Sequence, residues 1–212
     1  GIFGGYNINL NETEKGIKKI NRGNDGITIS QLGDNTFFAA RRHAIKFSGN
    51  EENLSGNSDQ PYYSSDKNVA LIFNGEFYNF SEYKDNLIKD KINFKTEGDT
   101  EVLLKLYEKN GINFLRDKNI DSLYSIAIHD KKLNKIFISR DWPGRIPLYY
   151  HHEKGRFIFS SELKAFRAIS NLSLQDPVEL EPGKIVEYDI ENDELNIVST
   201  YDLQPSVSKN TD

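Results

Sequence analysis

Gly1-Ile2-Phe3-Gly4-Gly5 opens the chain, and its reading decides how the rest is understood. Three of the five residues are glycine and the other two are large and apolar. Exposed chain ends are usually poorly ordered, so an apolar, glycine-rich end reads as a strand to be buried with backbone packed tightly against it. Neither Met nor Cys stands ahead of Gly1, and the 212 residues contain no methionine. The start is therefore expected to be processed, trimmed or incompletely recorded. Two readings stand side by side: an arbitrary boundary before a buried edge strand, or a processed terminus that does chemistry.

Composition bounds the choice. A length of 212 residues suits one large domain or a domain with a tail, and 37% hydrophobic content with 12% aromatics suffices for a packed core. Residues 1–203 are expected to form the domain and residues 204–212 a polar linker or frayed end. A charged fraction of 28% points to a soluble protein. The absence of cysteine excludes a disulfide scaffold, a thiolate metal site and a thiol nucleophile within the printed sequence. A net charge of -5 with scattered basic residues leaves no footprint for nucleic acid. No apolar run reaches membrane-spanning length and no secretory leader is seen, so a cytoplasmic location is expected. Asn11-Glu12-Thr13, Asn53-Leu54-Ser55, Asn79-Phe80-Ser81 and Asn171-Leu172-Ser173 match glycosylation acceptors, which an asparagine-rich chain produces by coincidence.

Outward from the glycine start, Asn11 with Glu14 forms a capping box for a short helix that buries Ile17 and Ile20. Residues 28–32 and 36–45 read as strands joined by Gly33-Asp34-Asn35. Residues 46–60 are polar and read as a long surface loop of the kind that forms lids. Residues 69–73 are a continuous apolar run, hence a strand buried on both faces, interrupted by Asn74-Gly75-Glu76. Asn79 starts a helix. Asp99 or Thr100 caps a second, with Val102, Leu103, Leu106 and Tyr107 as its apolar stripe and Gly111 as its stop. Further hairpins pair residues 123–129 with 135–140, 148–152 with 157–160, and 184–190 with 195–201. Residues 161–169 form a short helix. Short connections make antiparallel sheets, so the class is α+β, with two sheets sandwiched between helices.

The histidines suggest no metal site: His151 and His152 are adjacent in a strand, point to opposite faces and suit a surface, while His43 and His129 are single. Asp99 and Glu101 at a helix start read locally as caps that favour the macrodipole. Asn74-Gly75 is more informative. As a hairpin turn it would need a returning strand, and a helix follows instead. A carboxamide beside an unshielded backbone N–H provides the parts of an oxyanion hole. Arg42, next to the polar loop, suits a bidentate carboxylate contact or a surface ion pair.

Gly1-Ile2-Phe3-Gly4, Arg22-Gly23-Asn24-Asp25, Arg42, Phe73-Asn74-Gly75-Glu76-Phe77-Tyr78-Asn79, Glu97-Gly98-Asp99-Thr100-Glu101, Arg140-Asp141, Gly144, Pro147-Leu148-Tyr149-Tyr150 and Ser161-Glu162-Leu163-Lys164-Ala165 occur in this order. The set resembles the glutaminase domain of class II glutamine amidotransferases of the asparagine synthetase (glutamine-hydrolysing) type, from residue 1 to about residue 201. The resemblance implies an N-terminal-nucleophile hydrolase: a four-layer αββα sandwich of two antiparallel sheets. It implies a cysteine nucleophile immediately before Gly1, whose α-amine serves as base. By the same carry-over Asn74 and Gly75 form the oxyanion hole, Arg42 binds the α-carboxylate of glutamine, and Asp99 with Gly75 or Glu76 holds its α-ammonium. Arg22 and Asp25 are neighbours of the site. Ammonia would pass to a synthetase domain, in the same or a partner chain, which binds ATP and Mg; this domain itself needs no cofactor, and a homodimer is compatible. His43, Ala44, Lys46, Asn24 and Trp142-Pro143 depart from the family's usual residues. Without the cysteine the chain is expected to be inactive. The rival readings are a non-catalytic relic domain, as in β-lactam synthetases and lasso-peptide cyclases, and a free-standing glutamine-binding module.

Overall fold

The computed structural model describes residues 1–21, 23, 26–42, 60–169, 172 and 177–200, and the side chain of Arg42 lies outside that description. The expectations for Arg22, Asn24, Asp25, His43, Ala44, Lys46, the loop up to residue 59 and the tail 204–212 fall outside it too. In chain order the elements are Ile2–Tyr6 (β1), Leu10–Lys19 (α1), Gly26–Gly33 (β2), Thr36–Arg42 (β3), Tyr62–Tyr63 (β4), Val69–Phe77 (β5), Phe80–Lys89 (α2) and Asp99–Asn110 (α3). There follow Ser122–Asp130 (β6), Lys135–Arg140 (β7), Tyr149–Glu153 (β8), Arg156–Ser160 (β9), Val178–Glu179 (β10), Lys184–Asp189 (β11) and Glu194–Ser199 (β12), with 3-10 turns at Gly111–Arg116 and Leu163–Ala168.

The strands form two antiparallel sheets, ordered β10-β8-β9-β1-β3-β2 and β12-β11-β7-β6-β5-β4. Alternation of side chains along each strand gives every sheet two apolar faces. Ile2, Phe38, Ala70, Ile72, Ala127 and Phe159 belong to the core between the sheets. Phe3, Phe37, Ala39 and Ile158 face the other way, against Ile17 of α1, its C-cap residue Ile20 and Phe166 of the second 3-10 turn. Leu71, Phe73, Phe77 and Ile126 meet Leu87 of α2 and Leu103 and Leu106 of α3. Helical layers thus enclose two sheets, the αββα sandwich expected, with β1 in the middle of one sheet and β5 beside the edge of the other.

Local rules placed some boundaries wrongly. Helix α1 is capped by Asn9 and Glu12, which complete a capping box, two residues before the expected Asn11 and Glu14. Asn7, at φ 56°, turns the chain out of β1 early enough for the helix to begin there. Asn79 occupies the N-cap position of α2, but its amide bonds the carbonyl of Asn119 and its oxygen accepts from Asp121 N–H. Gly98 is the N-cap of α3, so Asp99 and Thr100 lie inside the first turn. The stretch at 161–169 forms a 3-10 turn. His151 is buried, contrary to the surface reading, as is His129, and His152 Nε2 lies 2.6 Å from Asp193 Oδ1.

Candidate active site

The register of β1 against β3 fixes the start of the chain. Gly1 exchanges two hydrogen bonds with Arg41: its α-amine donates to the Arg41 carbonyl at 2.7 Å, and Arg41 N–H donates to the Gly1 carbonyl at 2.8 Å. The other side of β1 is held by Ser161. Its Oγ accepts from Ile2 N–H at 2.9 Å, and its own N–H donates to the Ile2 carbonyl at 2.9 Å. A Cβ on Gly1 would lie 2.6 Å from Ile20 Cγ2, and one on Gly16 2.4 Å from the Phe3 ring, so glycine lets α1 close over the strand. The Arg41 guanidinium bonds the carbonyls of Ile20 and Gly23 and anchors the end of α1. Arg42 ends β3 in register with Gly26.

Asn74-Gly75-Glu76 does not interrupt the apolar run. Strand β5 continues through it to Phe77, paired with β6 as far as Ser122. The Asn-Gly turn preference yields to nine residues of continuous ladder. Asn74 follows Ala70 and Ile72 on the face turned to the other sheet. Its Nδ2 is buried without a hydrogen-bond partner among the described residues. A buried donor left unpaired costs about 1–3 kcal/mol, and such a group calls for a reason, a catalytic role among them.

The backbone donors of β5 alternate between its two neighbours. Val69 pairs with Ser64 and Phe73 with the Gln60 side chain, both on the β4 side. Phe77 N–H donates to Asp99 Oδ2 at 3.2 Å. Gly75 has the same parity, so its N–H turns to this edge, beyond the last β4 residue. Opposite it, the Tyr124 carbonyl is taken by Asp141 N–H, which makes Gly75 and Tyr124 a non-hydrogen-bonded pair, the closer of the two antiparallel spacings. A Cβ on Gly75 would lie 2.0 Å from the Leu123 carbonyl oxygen.

Asp99 lies at the far end of this edge. Its Oδ1 accepts from Thr100 Oγ1, and burial raises its pKa above the ordinary aspartate value, against the hydrogen bonds that lower it. Glu76 is raised as well, by desolvation first and by the charge of Asp99 second, although its side chain reaches solvent. Two carboxylates that repel one another suit a cationic group on an incoming molecule. The structure therefore brings Asn74, Gly75, Glu76 and Asp99 to one end of β5.

Arg140 and Asp141 prove to be scaffold. Arg140 Nη1 donates to the carbonyl of Leu180 and to Glu179 Oε1, each at 2.8 Å, and Asp141 accepts from the N–H groups of Arg145 and Ile146. Sequence reasoning gave Gln60 no role and quoted Ser161 only as part of a motif. Each bonds a partner far along the chain, and neither local periodicity nor spacing signals that. Among the described residues, no His, Asp and Glu come together in a metal-binding group, and no helix is long and apolar enough to cross a membrane.

The family profile described as "Glutamine amidotransferase domain" matches residues 1–189. Asparagine synthetase [glutamine-hydrolyzing] 2 of Bacillus subtilis is 43% identical over 109 residues, 51% of this chain and 14% of that protein. A probable asparagine synthetase [glutamine-hydrolyzing] of Acanthamoeba polyphaga mimivirus is 33% identical over 172 residues, 79% of this chain and 30% of that protein. The chain thus spans less than a third of the length of these relatives. The solved glutamine phosphoribosylpyrophosphate amidotransferase from B. subtilis superimposes with a TM-score of 0.72 at 19% identity, covering 94% of this chain and 49% of that one. The likeness shows a shared fold, two antiparallel sheets between helical layers.

Proposed function

We propose, from the premise that this chain belongs to the class II glutamine amidotransferase family, that it hydrolyses the side-chain amide of glutamine and supplies ammonia to an ATP-dependent amide-forming domain of the asparagine synthetase type. The observation that carries the reading is the closeness in sequence of a buried Asn74 Nδ2, without a hydrogen-bond partner among the described residues, and the edge-facing N–H of Gly75.

Strand alternation supports a position for the nucleophile. Ile2 faces the inter-sheet core and Phe3 the helix side, so a residue immediately ahead of Gly1 falls on the face of Ile2, the face that also carries Asn74. We assign the nucleophile to a cysteine at that position. Its thiolate attacks the amide carbon of glutamine and its α-amine, with a pKa of about 8, takes the thiol proton and returns it to the departing ammonia. The tetrahedral oxyanion is received by Asn74 Nδ2 and Gly75 N–H. Water then hydrolyses the glutamyl thioester to glutamate and regenerates the thiol. Arg42 binds the substrate α-carboxylate, and Asp99 with Glu76 binds its α-ammonium. ATP and Mg belong to the amide-forming domain; no residue of this chain is assigned to them. The printed sequence holds no cysteine, so activity depends on the residue that stands ahead of Gly1.

The test is glutamate release from glutamine by the chain carrying Cys immediately ahead of Gly1, beside the printed start and a Ser version. Release by the Cys form alone is expected. If that form neither binds nor hydrolyses glutamine, the domain is a scaffold of the ring-closing type and the glutaminase reading falls.

A further inference from the structure

Pairing along the outer edge of β5 changes character halfway. Val69 and Leu71 are met by the Ser64–Tyr62 segment, as in an ordinary ladder. Pro61 then brings a residue without an N–H, and the next residue, Gln60, meets Phe73 with its side chain instead of its backbone. Phe73 N–H donates to Gln60 Oε1 at 2.7 Å, and Gln60 Nε2 donates to the Phe73 carbonyl at 2.9 Å. A carboxamide carries the same donor and acceptor pair as a peptide group. Gln60 therefore imitates one more rung of the ladder at Phe73, and the imitation ends one residue before Asn74.

We infer that Gln60 is a positioning residue for the oxyanion donors: it fixes Phe73 from the outer edge while the Gly75 N–H, two residues on, is left uncovered by the described residues. A continued β4 strand would cover that N–H, and a bare edge would leave the Phe73 groups unpaired in a residue only 6% exposed. Through the Phe73–Asn74 peptide the clamp sets the direction of the Asn74 side chain, and through the next peptide that of Gly75 N–H. This inference rests on the glutaminase reading of the site.

The experiment uses the full-length protein with Cys ahead of Gly1, with Gln60→Ala and Gln60→Glu. Misdirected oxyanion donors lower kcat, whereas the groups assigned to the substrate's ammonium and carboxylate are untouched. The expected result for Gln60→Ala is a kcat about tenfold lower, with the KM for glutamine within about threefold. The γ-aldehyde analogue of glutamine, whose thiol adduct places an oxyanion in the same hole, should weaken in step with kcat. Gln60→Glu keeps the acceptor for Phe73 N–H and loses the donor to its carbonyl, so its kcat should fall between the two. It decides the matter if the alanine variant does not fold. A folded variant with unchanged kcat and unchanged aldehyde inhibition overturns the positioning role alone. Loss that appears wholly in KM also overturns it. A parent protein that does not hydrolyse glutamine overturns the glutaminase reading and takes this role with it.

Discussion

A Cβ on Gly5 would lie 2.0 Å from the Phe157 carbonyl oxygen, and a Cβ on Gly75 2.0 Å from that of Leu123. Each glycine lets its strand approach a neighbour across one edge. The difference lies on the opposite edge. Gly5 is paired there with Phe37 of β3, so its strand is covered on both sides. Gly75 lies past the end of β4, between the Gln60 clamp and the Asp99 carboxylate. A glycine in a strand is thus a packing device in both places; what sets Gly75 apart is an edge that the described residues leave unpaired, with the buried Asn74 amide beside it.

The largest effect expected is on chemistry. Asn74→Ala should lower kcat for glutamate release by about 10²- to 10³-fold, the usual loss for one oxyanion donor, with little change in the melting temperature because Nδ2 has no internal partner among the described residues. A large drop in melting temperature would show that Asn74 belongs to the core as Gly5 does. Next come the glycines. Gly5→Ala and Gly75→Ala should each cost about 1–3 kcal/mol in denaturant unfolding, the range for overpacking. Only Gly75→Ala should also lower kcat in the fraction that remains folded; equal kinetic effects would erase the contrast.

The carboxylates give a smaller, pH-dependent effect. Asp99→Asn should raise the KM for glutamine by about 10- to 100-fold, corresponding to a charged hydrogen bond of about 1.5–3 kcal/mol, while kcat changes little. Burial raises the Asp99 pKa, and the ionised form is the one that holds an ammonium. KM should therefore begin to rise, as pH falls, above the ordinary aspartate value of 3.8. An acid limb centred at or below that value would remove Asp99 from the role.

The closed interior supplies the smallest effect at neutral pH. His129 lies in the inter-sheet layer near Phe38, and burial, aided by Lys131 and opposed by Asp130, lowers its pKa from 6.5 to about 4. Between those values the unfolded chain takes up a proton that the folded one refuses, so stability should decline as pH falls from 6.5 towards 4. His129→Gln should flatten that part of the stability profile and leave the KM for glutamine unchanged. An unaltered profile would mean that water reaches this layer as it reaches the β5 edge.

Much of the sandwich is legible in the sequence because hairpins and two-fold alternation are local. The strands around residues 28–40, 123–140 and 149–160 fall where their apolar runs and turns put them. The Asn74-Gly75-Glu76 segment misled because Asn-Gly signals a turn over two residues, whereas the partner strand that overrides it lies about 50 residues later. Its chemical reading does not depend on that choice, since a carboxamide and an unshielded N–H keep their character in a strand or a turn. The α1 cap shows the same limit on a smaller scale: Asn9 with Glu12 and Asn11 with Glu14 both satisfy the capping pattern, and only the exit from β1 decides between them. Gln60 was illegible because its carboxamide acts as backbone, and no sequence pattern announces that a side chain will complete a sheet.

The contrast between the two glycines can be read directly by titrating glutamine into the full-length protein labelled with ¹⁵N-glycine. The amide resonance of Gly75 should move and saturate with glutamine while that of Gly5 stays in place. A Gly75 resonance that stays fixed at saturating glutamine, with binding evident at other sites or absent altogether, would contradict the assignment of the β5 edge as the substrate site.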